Sequence, residues 1–233
     1  MNQKRGVFMA KKKSRQPQII FIGFCMLILG VIWLFFINPT QDTPLQSASI
    51  SQEEYSQQAN HTLKGNQIPT PLILQTDERW ANDTYGSGDN NTLAQNGCAI
   101  LSLTMVLSYF EGKEAVPQDI LNWAQNNYFV AGQGTAWQIF SDFAHHYQLQ
   151  YHDLGTDFQS VQHYLRQKIP VVVSVKPGRF TDVGHIMVLG AEADNQILVL
   201  DPNDTPAKAT YKELFHPQDL TSEAVHYWAF TKS

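Results

Sequence analysis

Gly97-Cys98-Ala99-Ile100-Leu101-Ser102-Leu103-Thr104-Met105-Val106-Leu107-Ser108-Tyr109-Phe110-Glu111-Gly112 reads as a helix opened by a thiol. Ile100, Leu101, Leu103, Val106, Leu107 and Phe110 recur at helical spacing as a wide apolar face, and Gly112 ends the run. A thiol acts as a nucleophile only as thiolate, and a helix amino terminus favours the anion through unpaired amides and the positive end of its dipole. Gly97 allows a tight or left-handed backbone and a close approach of substrate. A cysteine so placed also fits a small buried hydrophobe, so a catalytic reading needs partners from elsewhere in the chain.

Around this helix the residue types shift along the chain. Helices are expected over 117–126, 135–147 and 157–168, the first with Pro117 in its opening turn and the last with an acidic start. The later segments 169–175, 184–190, 196–200 and 225–231 are β-branched or aromatic runs bounded by Gly, Pro, Asn and Asp, which read as a small antiparallel sheet. Helices first and strands later imply an α+β fold. Ahead of Cys98, Leu72-Ile73-Leu74 is a short apolar strand, and 75–97 is a long polar loop of the kind that usually carries function.

The amino-terminal part of the 233-residue chain has a different character. Lys4, Arg5, Lys11, Lys12, Lys13 and Arg15 precede any acid, and Ile19 to Ile37 follows as nineteen residues without a charge. At about 1.5 Å per helical residue this run crosses a hydrocarbon core of about 30 Å. A buried core helix would keep a polar face, and this run has none. A cleavable signal peptide has a shorter apolar region followed closely by small residues, whereas Ser47-Ala48-Ser49 lies ten residues downstream, so a retained transmembrane anchor is preferred. The basic head puts the amino terminus in the cytoplasm and the rest outside a cell membrane crossed once.

The expected organisation is a cytoplasmic head at 1–18, a transmembrane helix at 19–37, a flexible extracellular stalk at 38–70 and a folded domain at 71–233. The stalk is rich in Gln, Ser, Asn, Thr and Pro, with a short helix near Glu53 to Ala59 as an alternative. Beyond the head, ten basic residues face all twenty-one acids, a formal charge of −11 with His neutral, which argues against a nucleic-acid partner. Cys25 lies in the apolar run, so Cys98 has no disulfide partner in the outer domain. Paired cysteines, a His-Glu-Xaa-Xaa-His motif and a Gly-rich phosphate loop are all missing, so neither a metal nor a nucleotide cofactor is expected.

A base for Cys98 should be a histidine on a separate element. His185, in Gly184-His185-Ile186-Met187-Val188, is the one histidine at the start of an apolar strand; His145 and His146 lie on a helix, and His61, His152, His163, His216 and His226 lie in stalk, loop or exposed contexts. A structural role for His185 stays open on these grounds alone. Asp201 closes the next strand in Leu200-Asp201-Pro202-Asn203, where it either orients the imidazole or only begins a β-turn, with Asn203 as the second candidate orienter.

Four segments occur in order: Gln75-Thr76-Asp77-Glu78-Arg79-Trp80 with Tyr85-Gly86, Asn96-Gly97-Cys98, Gly184-His185, and Asp201-Pro202-Asn203. Over about 71–231 the chain resembles the stand-alone, exported relatives of the bacteriocin-processing cysteine peptidases, the papain-like group that in transporters cuts leader peptides after double glycine. Phe143-Ala144 and Pro177-Gly178-Arg179-Phe180 match further parts of that pattern. The resemblance implies a papain-like fold whose helical half carries the Cys and whose antiparallel sheet carries the His and Asp. It implies a catalytic set of Cys98, His185 and Asp201, with Gln75 donating to the oxyanion and Gln95 as its rival. Relatives follow the Cys with Gly-Pro-Thr or Gly-Pro-Ala, where this chain has Ala99-Ile100-Leu101, a change a helical first turn tolerates.

The expected activity is a thiol hydrolase acting on peptide bonds outside the membrane, with a peptide or cell-wall peptide as substrate. Peptidoglycan amide cleavage and a catalytically silent peptide-binding module on the same fold are the alternatives. The sequence leaves the oligomeric state open.

Overall fold

A computed structural model of the chain describes residues 50–88 and 90–232. The basic head, the apolar run Ile19 to Ile37 and the start of the stalk, to residue 49, lie outside the described residues. Among the described residues no helix is long and apolar enough to cross a membrane.

The order of elements is α1 (Gln52–Gly65), α2 (Leu93–Asn96), α3 (Cys98–Glu111), α4 (Pro117–Ala124), a hairpin of β1 (Phe129–Val130) and β2 (Gly134–Thr135), α5 (Gln138–His146) and β3 (Leu149–Gly155). It continues with α6 (Phe158–Arg166), β4 (Val171–Val175), β5 (His185–Ala193), β6 (Gln196–Leu200), β7 (Leu214–Phe215), α7 (Pro217–Thr221) and β8 (Ala224–Lys232). Six strands form an antiparallel sheet in the order β3-β8-β4-β5-β6-β7. This is the expected α+β fold, with helices ahead of an antiparallel sheet.

The helix that opens with Cys98 is more deeply sunk than an amphipathic reading requires. Every residue from Ala99 to Ser108 is buried, so α3 is a central helix rather than a surface one. Its polar side chains are satisfied locally: Thr104 Oγ1 donates to the Ile100 carbonyl at 2.8 Å and Ser108 Oγ to the Thr104 carbonyl at 2.7 Å. Gly112 closes the helix with φ +69°, donating its N–H to the Ser108 carbonyl.

Strand β4, Val-Val-Val-Ser-Val, is buried along its whole length because the sheet is covered on both faces. Val172 joins Ile186, Val188, Trp228 and Phe230 on the face packed with the residues of α3. Val171 and Val173 join Met187, Leu189 and the α6 residues Val161 and Leu165 on the other. The period of two along the strands thus sorts alternate side chains into two cores.

Several expectations need correction. Residues 50–70 are not a flexible stalk: α1 is capped by Ser51, whose Oγ accepts from Glu54 N, and by the Glu78 carboxylate, which accepts from Gln52 N and Glu53 N at 3.1 and 3.3 Å. Tyr55, Ala59 and Leu63, spaced one turn apart on that helix, are part of the main core. The folded unit therefore begins at Ile50 and not at Pro71. Leu72-Ile73-Leu74 is wholly buried but pairs in no sheet; the Asn60 side chain instead accepts from Leu72 N and donates to Leu72 O. The helix expected from Thr135 starts at Gln138, because Thr135 is held in the β-hairpin. Strand β3 follows the Phe143-Ala144 match but is not marked by periodicity, since its mixed, half-exposed residues lack clean alternation.

A fragment starting at Pro71 loses three buried apolar side chains and the Asn60 clamp, and is expected to be about 5 kcal/mol less stable than one starting at Ile50. Urea unfolding of the two fragments checks this, a lower midpoint or failure to fold being expected for the shorter one.

Candidate active site

Cys98 is the first residue of α3 and is partly exposed, while Gly97 before it and Ala99 after it are buried. Gly97 has φ −80°, so its left-handed freedom is not used. Its requirement is steric: α2 folds back so closely that a Cβ on residue 97 would lie 2.5 Å from the Leu93 carbonyl oxygen.

The first turns of α3 rest on the beginning of β5, where Ser102 Oγ donates to the Ile186 carbonyl at 3.4 Å. His185 opens that strand and is 8% exposed. Antiparallel pairing of β5 with β6, with Val188 opposite Leu200, puts His185 and the residue after β6, Asp201, at the same end of the sheet. The ring Nε2 of His185 lies 2.7 Å from Asp201 Oδ1, and the Cys98 side chain is near enough to the ring to favour its proton. Cys98, His185 and Asp201, from three separate elements, are thus one connected chain of side chains.

Electrostatics reinforce the arrangement. Burial works against a proton on His185, but hydrogen bonds to Asp201 and Cys98 and the charges of both outweigh it, so its pKa is pushed up to about 9. Burial likewise works against the charge on Asp201, yet the His185 hydrogen bond and the positive charges of His185 and Lys208 hold it below the usual carboxylate range. The geometry therefore favours an imidazolium held against the Asp201 carboxylate. Asn203, the second candidate orienter, is exposed and reaches Asp201 through its backbone N–H, 2.7 Å from Asp201 Oδ1, rather than orienting the imidazole with its side chain.

Gln75 is 4% exposed and bridges the two halves of the site. Its backbone N–H donates to the Pro202 carbonyl at 2.7 Å, and its Nε2 donates to the Ala94 carbonyl, one turn before Cys98, at 2.6 Å. An amide nitrogen has two protons, so one remains for a further acceptor, and Oε1 is buried without a partner among the described residues. Gln95 is exposed on α2. The residues after Gln75 lock the turn: buried Asp77 accepts from Arg79 Nε and Nη2 at 2.9 and 2.7 Å, and Trp80 Nε1 donates to the Leu74 carbonyl at 2.7 Å.

Residues 68–231 match the Peptidase_C39 like family. The chain belongs to this family. The match covers almost the same stretch as the resemblance read from the motifs, and membership in a C39-like peptidase family implies cysteine-peptidase chemistry. No curated protein matches the chain. Among solved structures, a protein described as a C39-like peptidase from Bacillus anthracis is similar at 13% identity and TM-score 0.48, over 70% of this chain and 95% of that one. The peptidase domain of Streptococcus ComA, a bi-functional ABC transporter involved in quorum sensing, is similar at 15% identity and TM-score 0.44, over 60% and 93%. A double glycine motif protease from an AMS/PCAT transporter, in complex with the leader peptide, is similar at 15% and 0.45, over 71% and 94%.

The contacts of two residues in this C39-like site were not read from the sequence. Tyr85, fully buried, shares a 2.9 Å hydrogen bond with Thr135 Oγ1; burial, with the charge of Cys98 adding to it, pushes its pKa up to about 12. Lys208 reaches back to Asp201 Oδ2 and donates to the Asn203 carbonyl at 2.9 Å. The sequence marks Tyr85 only as part of the Tyr85-Gly86 motif and not its place beside Cys98, and no pattern signals a lysine seven residues beyond an aspartate in a loop. His145, His146, His61, His152, His163, His216 and His226 contribute nothing to the chain formed by Cys98, His185 and Asp201. Among the described residues no group of His, Cys, Asp and Glu could hold a metal ion.

Proposed function

We propose that the chain is a cysteine peptidase that hydrolyses peptide bonds through Cys98, His185 and Asp201. The observation that carries this reading is the convergence of Cys98, His185 and Asp201 from three separate elements, with Asp201 hydrogen-bonded to the His185 ring, Cys98 beside that ring, and the thiol at a helix start and part open to solvent. His185 takes the Cys98 proton and the thiolate adds to the substrate carbonyl. The oxyanion is met by the spare Gln75 amide proton and by amides of the first turn of α3. His185 then gives its proton to the leaving amine, a thioester to Cys98 remains, and water releases the acid while His185 accepts the water proton. Asp201 stays ionised and holds the ring in place.

The same reading places the domain outside the cell membrane, tethered by Ile19 to Ile37 with the amino terminus in the cytoplasm; the uncharged nineteen-residue run and the six basic residues before it support this. The test is incubation of the purified full chain with a complex peptide library, with products read by mass spectrometry beside Cys98→Ala. New termini made by the wild type and lost in the variant are expected. No cleavage by either, with intact folding, overturns the reading in favour of a peptide-binding module, and release from purified cell wall alone redirects it to peptidoglycan amide cleavage.

A further inference from the structure

The loop that follows Asp201 carries a cation aimed back into the site. Asp201 is fully buried, and its two carboxylate oxygens are used differently: Oδ1 accepts from His185 Nε2 and Asn203 N, both at 2.7 Å, whereas Oδ2 accepts from Lys208 Nζ. Lys208 is not a loose surface side chain. Its backbone N–H donates to Thr205 Oγ1, its Nζ also donates to the Asn203 carbonyl, and the residue after it, Ala209, donates to the Thr205 carbonyl. The loop is held by a second buried carboxylate, Asp204, which accepts from Thr210 N, Tyr211 N and the Tyr55 hydroxyl of α1.

We propose that Lys208 is a positioning residue of the Cys98–His185 pair, fixing the plane of the Asp201 carboxylate through its second oxygen and balancing the charge of the site. The proposal rests on the peptidase reading above. A carboxylate bound through one oxygen can still swing about its terminal bond; bound through both, from opposite sides, it presents Oδ1 to His185 in one orientation. With Cys98 as the thiolate that the peptidase reading requires, the charges also close: thiolate, imidazolium, carboxylate and ammonium sum to zero, whereas without the ammonium a partly buried site carries one net negative charge, although the exposure of Lys208 lets water screen part of its effect. The groups facing Asp201 are His185 from β5, Lys208 and Asp204 from its own loop and Tyr55 from α1; those facing His185 are Asp201 and, from α3, Cys98. Of these, only His185 and Lys208 can supply positive charge.

Removing a cation raises the proton affinity of every neighbouring group, so the pH profile moves in a known direction. The test is alkylation of the full chain by iodoacetamide between pH 4 and 9, followed on the Cys98 peptide by mass spectrometry for wild type, Lys208→Met, Lys208→Gln and Lys208→Arg. Both neutral variants are expected to move the half-maximal point of the low-pH limb upward by about 0.5 to 1 unit, and Lys208→Arg to overlay the wild type. A role confined to holding the loop would lower the rate equally at all pH values and would not be rescued by charge. If a neutral variant folds and its low-pH limb superimposes on that of the wild type, the proposal fails while the peptidase reading stands. If wild-type Cys98 shows no low-pH reactivity at all, the proposal falls together with that reading.

Discussion

His185→Ala is expected to lower kcat/KM for peptide hydrolysis by about 10⁴-fold or more, with little loss of folded protein. The imidazole has two tasks on the proposed path, and Tyr85, another ionisable group that feels the charge of Cys98, cannot take them over because burial holds its proton tightly. Because the His185 pKa is pushed up to about 9, the ring keeps the proton needed by the leaving amine throughout neutral pH. Wild-type hydrolysis should therefore persist across neutral pH and fall as pH rises through about 9. In Asp201→Asn the partner that holds the imidazolium is gone, so the alkaline limb should move to lower pH. A steady-state pH profile of the three proteins on one cleaved peptide checks both directions.

Gln75→Ala is expected to cost about 10²–10³ in kcat with a smaller change in KM, as loss of an oxyanion donor does elsewhere. The competing residue gives the control. Gln95 is exposed on α2, so Gln95→Ala should leave kcat within about twofold of wild type. Gln75 also ties the Asp201–Pro202 turn to the turn before Cys98, so the variant needs a conservative companion. Gln75→Glu keeps the shape and the backbone bond to Pro202, but it loses the donor to the Ala94 carbonyl and brings a negative charge to the oxyanion, and should be at least as damaging to kcat as alanine. Equal activity of Gln75→Ala and wild type would leave the oxyanion to the backbone amides alone.

What the sequence made legible follows from where the physical signal sits. The thiol at a helix start, the histidine at the mouth of an apolar strand and the aspartate after the next strand are each marked by their neighbours along the chain, and antiparallel pairing of β5 with β6 then brings two of them to one end of the sheet. Local pattern also revealed α3 and its Gly112 cap. It failed where structure depends on partners far away. Tyr55, Ala59 and Leu63 are three apolar residues in an otherwise polar stretch, too sparse to announce a helix until the core that receives them is in place. Leu72 to Leu74 resembles a strand by composition, yet it is held by burial and by one asparagine side chain. Lys208 belongs to an irregular loop whose path is set by Asp204 accepting four hydrogen bonds from separate residues, and irregular loops leave no period to read.

The central claim is that Cys98 and His185 act as an ion pair, and the rate of Cys98 alkylation by iodoacetamide at pH 6, in the full chain with and without His185→Ala, tests it most directly. The expected result is that wild-type Cys98 reacts about 10²-fold faster than the variant, since an ordinary thiol with a pKa near 8.5 is almost wholly protonated at that pH. Equal and slow reaction of the two proteins would contradict the claim and leave Cys98 an ordinary thiol beside a structural histidine.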